Sequence, residues 1–197
     1  MLNGARRQEG VSLIEAMIGL TLAGILVALA VPSFQSGNQN RQIRAAAEAI
    51  QNGLHLARTE ALRRNRVVRF ELVDPNGWRV GCDPADTTLV DGQPACPETL
   101  QVRDASEGSR NAAVDRRQVA AGTGAETGSF EELRFTPLGR VSSLSAATNA
   151  VFRVTNPRGG ACAAQGGDMR CLSIIVTTAG QIRMCDPAVA APDPRAC

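Results

Sequence analysis

Six cysteines, one histidine and one carboxylate inside an apolar run are the residues of this chain most able to do chemistry. The cysteines are Cys82, Cys96, Cys162, Cys171, Cys185 and Cys197. No two are spaced C-x-x-C, and the single histidine is His55, so the ligand set of a zinc site is missing. An even number of cysteines, all downstream of an apolar export-type segment, reads as disulfides formed in an oxidising compartment. Six cysteines allow about 15 connectivities. Pairing of sequence neighbours predicts Cys82–Cys96, Cys162–Cys171 and Cys185–Cys197, each stapling a Pro- or Gly-rich loop. In the chain-entropy view, closing a loop of about 15 residues contributes about 3 kcal/mol.

Catalysis finds little to use. There is no G-x-S-x-G and no P-loop. The neighbouring acids Asp83 and Asp86, and Glu131 and Glu132, lie in polar stretches and read as solvated. The expectation is a protein that is not an enzyme and takes no metal or cofactor.

The carboxylate is Glu15. It stands in EGVSLIEAMIGLTLAGILVALAVPSF, Glu9 to Phe34. Two readings fit this segment. In the first it is a secretory signal peptide, with Arg6 and Arg7 as the basic start and Ala28-Leu29-Ala30 as an A-x-A cleavage site before Val31. That reading leaves Glu15 unexplained and the apolar block long. In the second it is a retained helix: Val11 to Phe34 would span about 36 Å, enough to cross a hydrocarbon core of about 30 Å. Arg6 and Arg7 would keep its start cytoplasmic. A carboxylate within such a helix costs up to about 3 kcal/mol and requires a positive partner at the same depth. A free α-amino group at Val11, exposed by a cut after Gly10, would serve. On a neighbouring chain it would also set the stagger of packed helices.

A short charged leader ending in glycine, then V-S-L-I-E, then an apolar helix ending A-V-P-S-F, resembles the start of type IV prepilins and pseudopilins. One departure is Val11, where phenylalanine is commonest. The resemblance implies cleavage after Gly10 by prepilin peptidase, N-methylation of Val11, and Glu15 as the assembly glutamate. It also implies a kink at Pro32 and other major and minor pilins as partners through the helix. The chain would sit in the bacterial inner membrane as a single-pass protein with a periplasmic C-terminal domain, and then in a pilus at the cell surface.

The remaining elements must carry the cysteines and the arginines. After Pro32, Ser36-Gly37-Asn38 is a second weak point, and the helix resumes from about Asn40. Ile43, Ala47, Ile50, Leu54, Ala57 and Ala61 recur at spacings of three and four, a stripe made to face a sheet. His55 falls on the opposite, polar face. From Val67 the period becomes two, and Asp74-Pro75-Asn76-Gly77 turns the chain toward Trp78. Further strands are predicted at Thr99–Arg103, Arg116–Ala120, Glu132–Thr136, Ala150–Thr155, Leu172–Thr178 and Gln181–Met184. Asp104–Ala113 and Ala121–Ser129 read as loops. The fold class is α+β and pilin-like: a long N-terminal helix packed on antiparallel sheet. The expected parts are a leader (1–10), a transmembrane assembly helix (11–34), its amphipathic continuation (35–66) and a disulfide-stapled β-rich domain (67–197).

A-R-T-E-A-L-R-R-N-R-V-V-R-F and G-Q-I-R-M-C-D-P…D-P-R-A-C resemble the GspH/FimT branch of pilin-like proteins. That branch implies a minor type IV pilin of the initiation or tip complex, or a minor pseudopilin of a type II secretion system. Some FimT-type pilins bind DNA through arginines of a G-R-x-R element. Here the matching stretch is Gly180-Gln181-Ile182-Arg183, with glutamine at the first arginine position. Net charge is +2, but Arg134–Cys197 holds seven arginines against three acids. Arg153, Arg158, Arg170, Arg183 and Arg195 are therefore the candidate contacts for double-stranded DNA, by salt-dependent phosphate binding.

Overall fold

The computed structural model describes residues 12–73, 75–90 and 92–197, apart from the side chains of residues 29–33. It falls into one unit ending at Gly37 and one running Asn38–Cys197. The expected leader, Val11 and Asp74 of the first turn lie outside the described residues.

Helix α1 (Leu13–Arg64) is assigned without interruption. The break expected at Ser36-Gly37-Asn38 is absent, because one glycine costs a helix only about 1 kcal/mol. The bend expected at Pro32 falls among the residues whose side chains are not described.

In the second unit the predicted stripe is the buried face. Ile43, Ala46, Ala47, Ile50, Leu54, Ala57 and Ala61 have no solvent exposure, whereas His55 is exposed. Their spacing keeps them on one side of the helix. They pack on two antiparallel sheets. One has the order β5-β2-β1-β8, from β1 (Val68–Val73), β2 (Gly77–Cys82), β5 (Gln101–Arg103) and β8 (Glu132–Phe135). The other has the order β11-β10-β9-β6-β7, from β6 (Ala113–Ala120), β7 (Glu126–Gly128), β9 (Thr148–Thr155), β10 (Leu172–Thr177) and β11 (Ile182–Cys185). Between β2 and β5 the separate hairpin of β3 (Asp86–Val90) and β4 (Gln93–Cys96) leaves the sheet.

Register follows from alternation. On β1 and β2 the inward pairs are Phe70 opposite Val80 and Leu72 opposite Trp78. Phe152 of β9 ties the sheets together: its ring meets Phe70 at 5.7 Å and Phe130 at 5.2 Å, both edge to face. Such contacts add about 0.5–1.5 kcal/mol each to the burial of the rings. Asn76, read from sequence as a turn residue, is buried. Its Nδ2 donates to the carbonyls of Ser109 and Ala112 at 2.9 and 2.7 Å, and its Oδ1 accepts from the Ser109 hydroxyl at 2.8 Å. The Asp104–Ala113 loop is thereby pinned to the first hairpin.

Strands β3, β4 and β7 stand where sequence reading saw loops. β3 and β7 are mostly exposed and β4 buries only Cys96 at its end, so no inward-outward alternation marks them. The end of α1 secures the β3–β4 hairpin. Arg64 donates to Glu60 and, at 2.6 Å, to the carbonyl of Ala95, and Arg66 meets Asp86 at 2.9 Å. Burial pushes the Glu60 carboxyl up, but hydrogen bonds from Arg63 and Arg64 outweigh it and leave its pKa lowered.

Helix and sheet approach closely at Gly53. A Cβ there would lie 2.8 Å from Phe70 Cε2 and 2.9 Å from the Trp78 ring, both buried. Glycine to alanine inside a helix ordinarily stabilises by about 1 kcal/mol. Here the sign reverses: Gly53→Ala is expected to destabilise by about 1–3 kcal/mol through overpacking, read from denaturant midpoints. A raised midpoint would show that the rings have room to move.

Candidate functional site

Two regions carry the residues singled out from sequence. The first is the helical segment before Gly37. Glu15 lies in its first turn and is exposed. Around it Leu13, Ile14, Met17, Ile18, Leu20, Leu22, Ile25, Leu26 and Val27 are all more than half exposed. These positions run round the whole helix, so the segment has no polar face to give to water. Thr21 donates its hydroxyl to the carbonyl of Ile18 at 2.8 Å and so satisfies its own donor. A carboxylate in the first turn is favoured by the helix dipole. Among the described residues no helix is long and apolar enough to cross a membrane. Val11 and the side chains of residues 29–33, which belong to the apolar run, are not among them. Gly10 and Val11, the expected cleavage and methylation positions, are also outside the described residues.

The second region is built by β9, β10, β11 and the loops that follow them. The structure pairs Cys82 with Cys96, Cys162 with Cys171 and Cys185 with Cys197, leaving no free thiol. The second and third bridges hold the loops around β10 and β11. Between these loops lies an open cleft of about 290 Å³, lined in part by Arg153, Thr155, Gln165, Ser173, Pro187 and Ala188. The Gly180 turn has a steric reason for glycine: φ is +81° and a Cβ would fall 1.8 Å from the carbonyl oxygen of Gly139.

The five candidate arginines do not form one open phosphate patch. Arg153 donates to Glu126 at 2.6 Å. Arg170 meets Asp186, which is 5% exposed and also accepts from the amide of Ala188. Arg195 holds Asp193 through two side-chain hydrogen bonds of 3.1 and 2.8 Å. Arg183 donates to the main-chain oxygens of Ala196 and Cys197 at 3.1 and 3.3 Å. Arg158 is the one of the five whose guanidinium has no partner among the described residues; only its amide is bonded, to Asn156 Oδ1. The charge count of the last third included Asp186 and Asp193 but not their pairing with Arg170 and Arg195, and Glu126, the partner of Arg153, lay outside it. For Asp193 a signal existed. An aspartate two residues before an arginine can cap the backbone amide of that arginine, and the Asp193 Oδ1 accepts from Arg195 N at 2.8 Å. Among the described residues no group of His, Cys, Asp or Glu is placed to hold a metal ion.

Comparison with known families bears on both regions. The family model described as type II transport protein GspH matches residues 46–185. The chain belongs to the GspH family. The model of the prokaryotic N-terminal methylation motif matches residues 5–31, which include Gly10, Val11 and Glu15. No curated protein matches this GspH-family chain. Among solved structures, the type IV minor pilin FimU of Pseudomonas aeruginosa PAO1 is similar in two crystal forms. One is 20% identical, with 76% of this chain and 97% of that chain covered and a TM-score of 0.46. The other is 21% identical, with 77% and 92% covered and a TM-score of 0.47. The solution structure of E. coli GspH is 13% identical, with 79% and 93% covered and a TM-score of 0.43. At these values the likenesses have no bearing on function.

The Arg195 contacts have a measurable consequence. Hydrogen bonds from the Arg195 side chain and amide hold the Asp193 carboxyl down at about 2. A carboxyl depressed in the folded state favours folding above its unfolded value of about 3.9, and the effect is lost as pH falls toward 2. An NMR titration of the Asp193 carboxyl should therefore find its midpoint near 2. A midpoint at the ordinary aspartate value would mean that the pair is open in solution.

Proposed function

We propose that this GspH-family chain is a minor type IV pilin. On this reading prepilin peptidase cuts it after Gly10 and Val11 is methylated. The helix then anchors it in the bacterial inner membrane with the disulfide-bonded domain in the periplasm. It enters the pilus initiation or tip complex through that helix, against other major and minor pilins.

The observation that carries the reading is the exposed apolar surface round Leu13–Val27, interrupted in its first turn by Glu15. A surface of this kind is stable only in lipid or against other apolar helices. In either place the carboxylate has lost its water. An opposite charge within about 4–6 Å favours the ionised form and offsets that loss. The α-amino group of Val11 on a neighbouring subunit would supply the charge at the right depth. Glu15 would then fix the axial register between subunits, since any slip of the helices separates the pair.

Membership of the GspH family of type II transport proteins favours a second reading, a minor pseudopilin of a type II secretion system. The same helix chemistry applies, and the readouts differ. Double-stranded DNA as a partner has weaker support, because four of the five candidate arginines already have carboxylate or carbonyl partners.

In a strain lacking the native copy, Glu15→Ala is expected to be processed and held in the membrane like the parent. Its recovery in sheared pili should fall at least about tenfold, the effect of losing roughly 1.4 kcal/mol of pairing. Recovery at the parent level would contradict the role given to Glu15. Intact pili together with a loss of secreted protein would favour the pseudopilin reading.

A further inference from the structure

Three loops close on the turn of α1 that begins the second unit, and each brings an arginine to it. The amide of Arg170 donates to Asn40 Oδ1 at 2.8 Å, and the amide of Asn111 donates to Gln42 Oε1 at 3.1 Å. Gly159 packs against the same turn, since a Cβ there would fall 2.5 Å from Gln39 Oε1. The helix residues Gln39 to Gln42 thus hold the loops that carry Arg110, Arg158 and Arg170, and Arg41 stands among them. All four arginines are exposed.

The charge of this collar is not answered from within the chain. Among the described residues the guanidinia of Arg41, Arg110 and Arg158 have no partner, and Arg170 meets only Asp186. Elsewhere among the described residues only the guanidinia of Arg58 and Arg140 lack one, both of them beside Gly139. The stretches 38–44, 109–112, 156–160 and 168–171 hold Arg41, Arg44, Arg110, Arg158 and Arg170 against a single acid, Asp168. Arg44 is taken by Glu48 at 2.8 Å. Further back in the loop of Arg110, Asp104 adjoins Arg103, and Glu107 lends Arg103 its carbonyl.

Position along the chain says what this charge meets. Arg41 is seven residues beyond Phe34, where the apolar run ends. Along a helix that is about 10 Å, close to the screening length at physiological salt. With the apolar run in the bilayer, the turn at Gln39 to Gln42 comes within reach of the lipid headgroups. A guanidinium is a planar fork that pairs with phosphate through two hydrogen bonds. We propose that Arg41, Arg110 and Arg158, with Arg170 beside them, bind the headgroup phosphates of anionic phospholipids on the periplasmic face of the inner membrane. The collar holds the disulfide-bonded domain to that surface while the helix is in lipid. This rests on the proposed function for the anchor alone, and applies equally to a pilin and a pseudopilin.

The test uses the full chain in phosphatidylcholine vesicles carrying a trace of spin-labelled phosphatidylglycerol or phosphatidylcholine. Electron paramagnetic resonance gives the share of each probe that the protein immobilises, whichever way round the chain inserts. The parent is expected to prefer phosphatidylglycerol at least about threefold, and to lose most of that preference in high salt. The variant Arg41→Gln, Arg110→Gln, Arg158→Gln is expected to show almost none, with its three disulfides intact. The control Arg63→Gln, Arg66→Gln, Arg140→Gln removes the same charge near the other end of α1 and should keep the parent's preference. A parent without preference, a collar variant that keeps it, or an equal loss in the control overturns the proposal. Flotation separates this from failure of the anchor. A parent that floats with the vesicles but shows no preference refutes the collar alone, and a parent that does not float refutes both.

Discussion

One helix in this protein has to satisfy two different surroundings, and the rest of the structure depends on how it does so. From Ile43 to Ala61 it offers a single apolar stripe, and two antiparallel sheets cover that stripe completely. From Leu13 to Val27 it is apolar on every side, and within the chain these residues stay exposed. The first stretch is satisfied by the fold. The second is a demand on other molecules, since burying each such side chain is worth roughly 1.5–3 kcal/mol wherever the cover comes from. On the function proposed above, Glu15 would turn that nonspecific demand into a register, because a charge in apolar surroundings is tolerated only opposite its partner.

The globular domain meets a different constraint. Its strands are short and its connections long, so much of the chain between them has little apolar surface of its own to bury. Disulfides and side-chain hydrogen bonds do the holding instead. Cys82–Cys96 closes the base of the β3–β4 hairpin, and Arg64 and Arg66 tie that hairpin to the end of the helix. Asn76 holds the loop after β5. The loops after β9 and β11 are held by Cys162–Cys171 and Cys185–Cys197, with Arg170 on Asp186 between them. The arginines of the last third of the chain are for the most part committed to this work.

What was legible in the sequence was what periodicity and punctuation encode. The helix stripe, the first hairpin and the strands with a buried face are visible because one face of each must be apolar. The apolar N-terminal segment with its lone Glu15 stands out because a charge in an apolar run is unusual. Strands β3 and β7 were not visible, since they bury almost nothing, and β4 buries only its last residue, Cys96, so none carries alternation. The continuity of the helix through Gly37 was also misjudged, because local propensity there is a weak preference that the flanking turns override. The candidate site was legible only as a sum of charges. Which of these acids meets which arginine depends on segments brought together over long sequence distances, as with Arg153 and Glu126 or Arg134 and Asp83. No local pattern encodes those meetings.

The account stands or falls on whether the apolar helix remains part of the working protein. Intact-mass and N-terminal analysis of the chain recovered from membranes of the producing cell measures this directly. The account predicts a mature protein that begins at Val11 and carries one added methyl group. A mature protein beginning at Val31, cut at the A-x-A sequence, would contradict it: Glu15 would then be part of a discarded signal and the domain would be secreted alone.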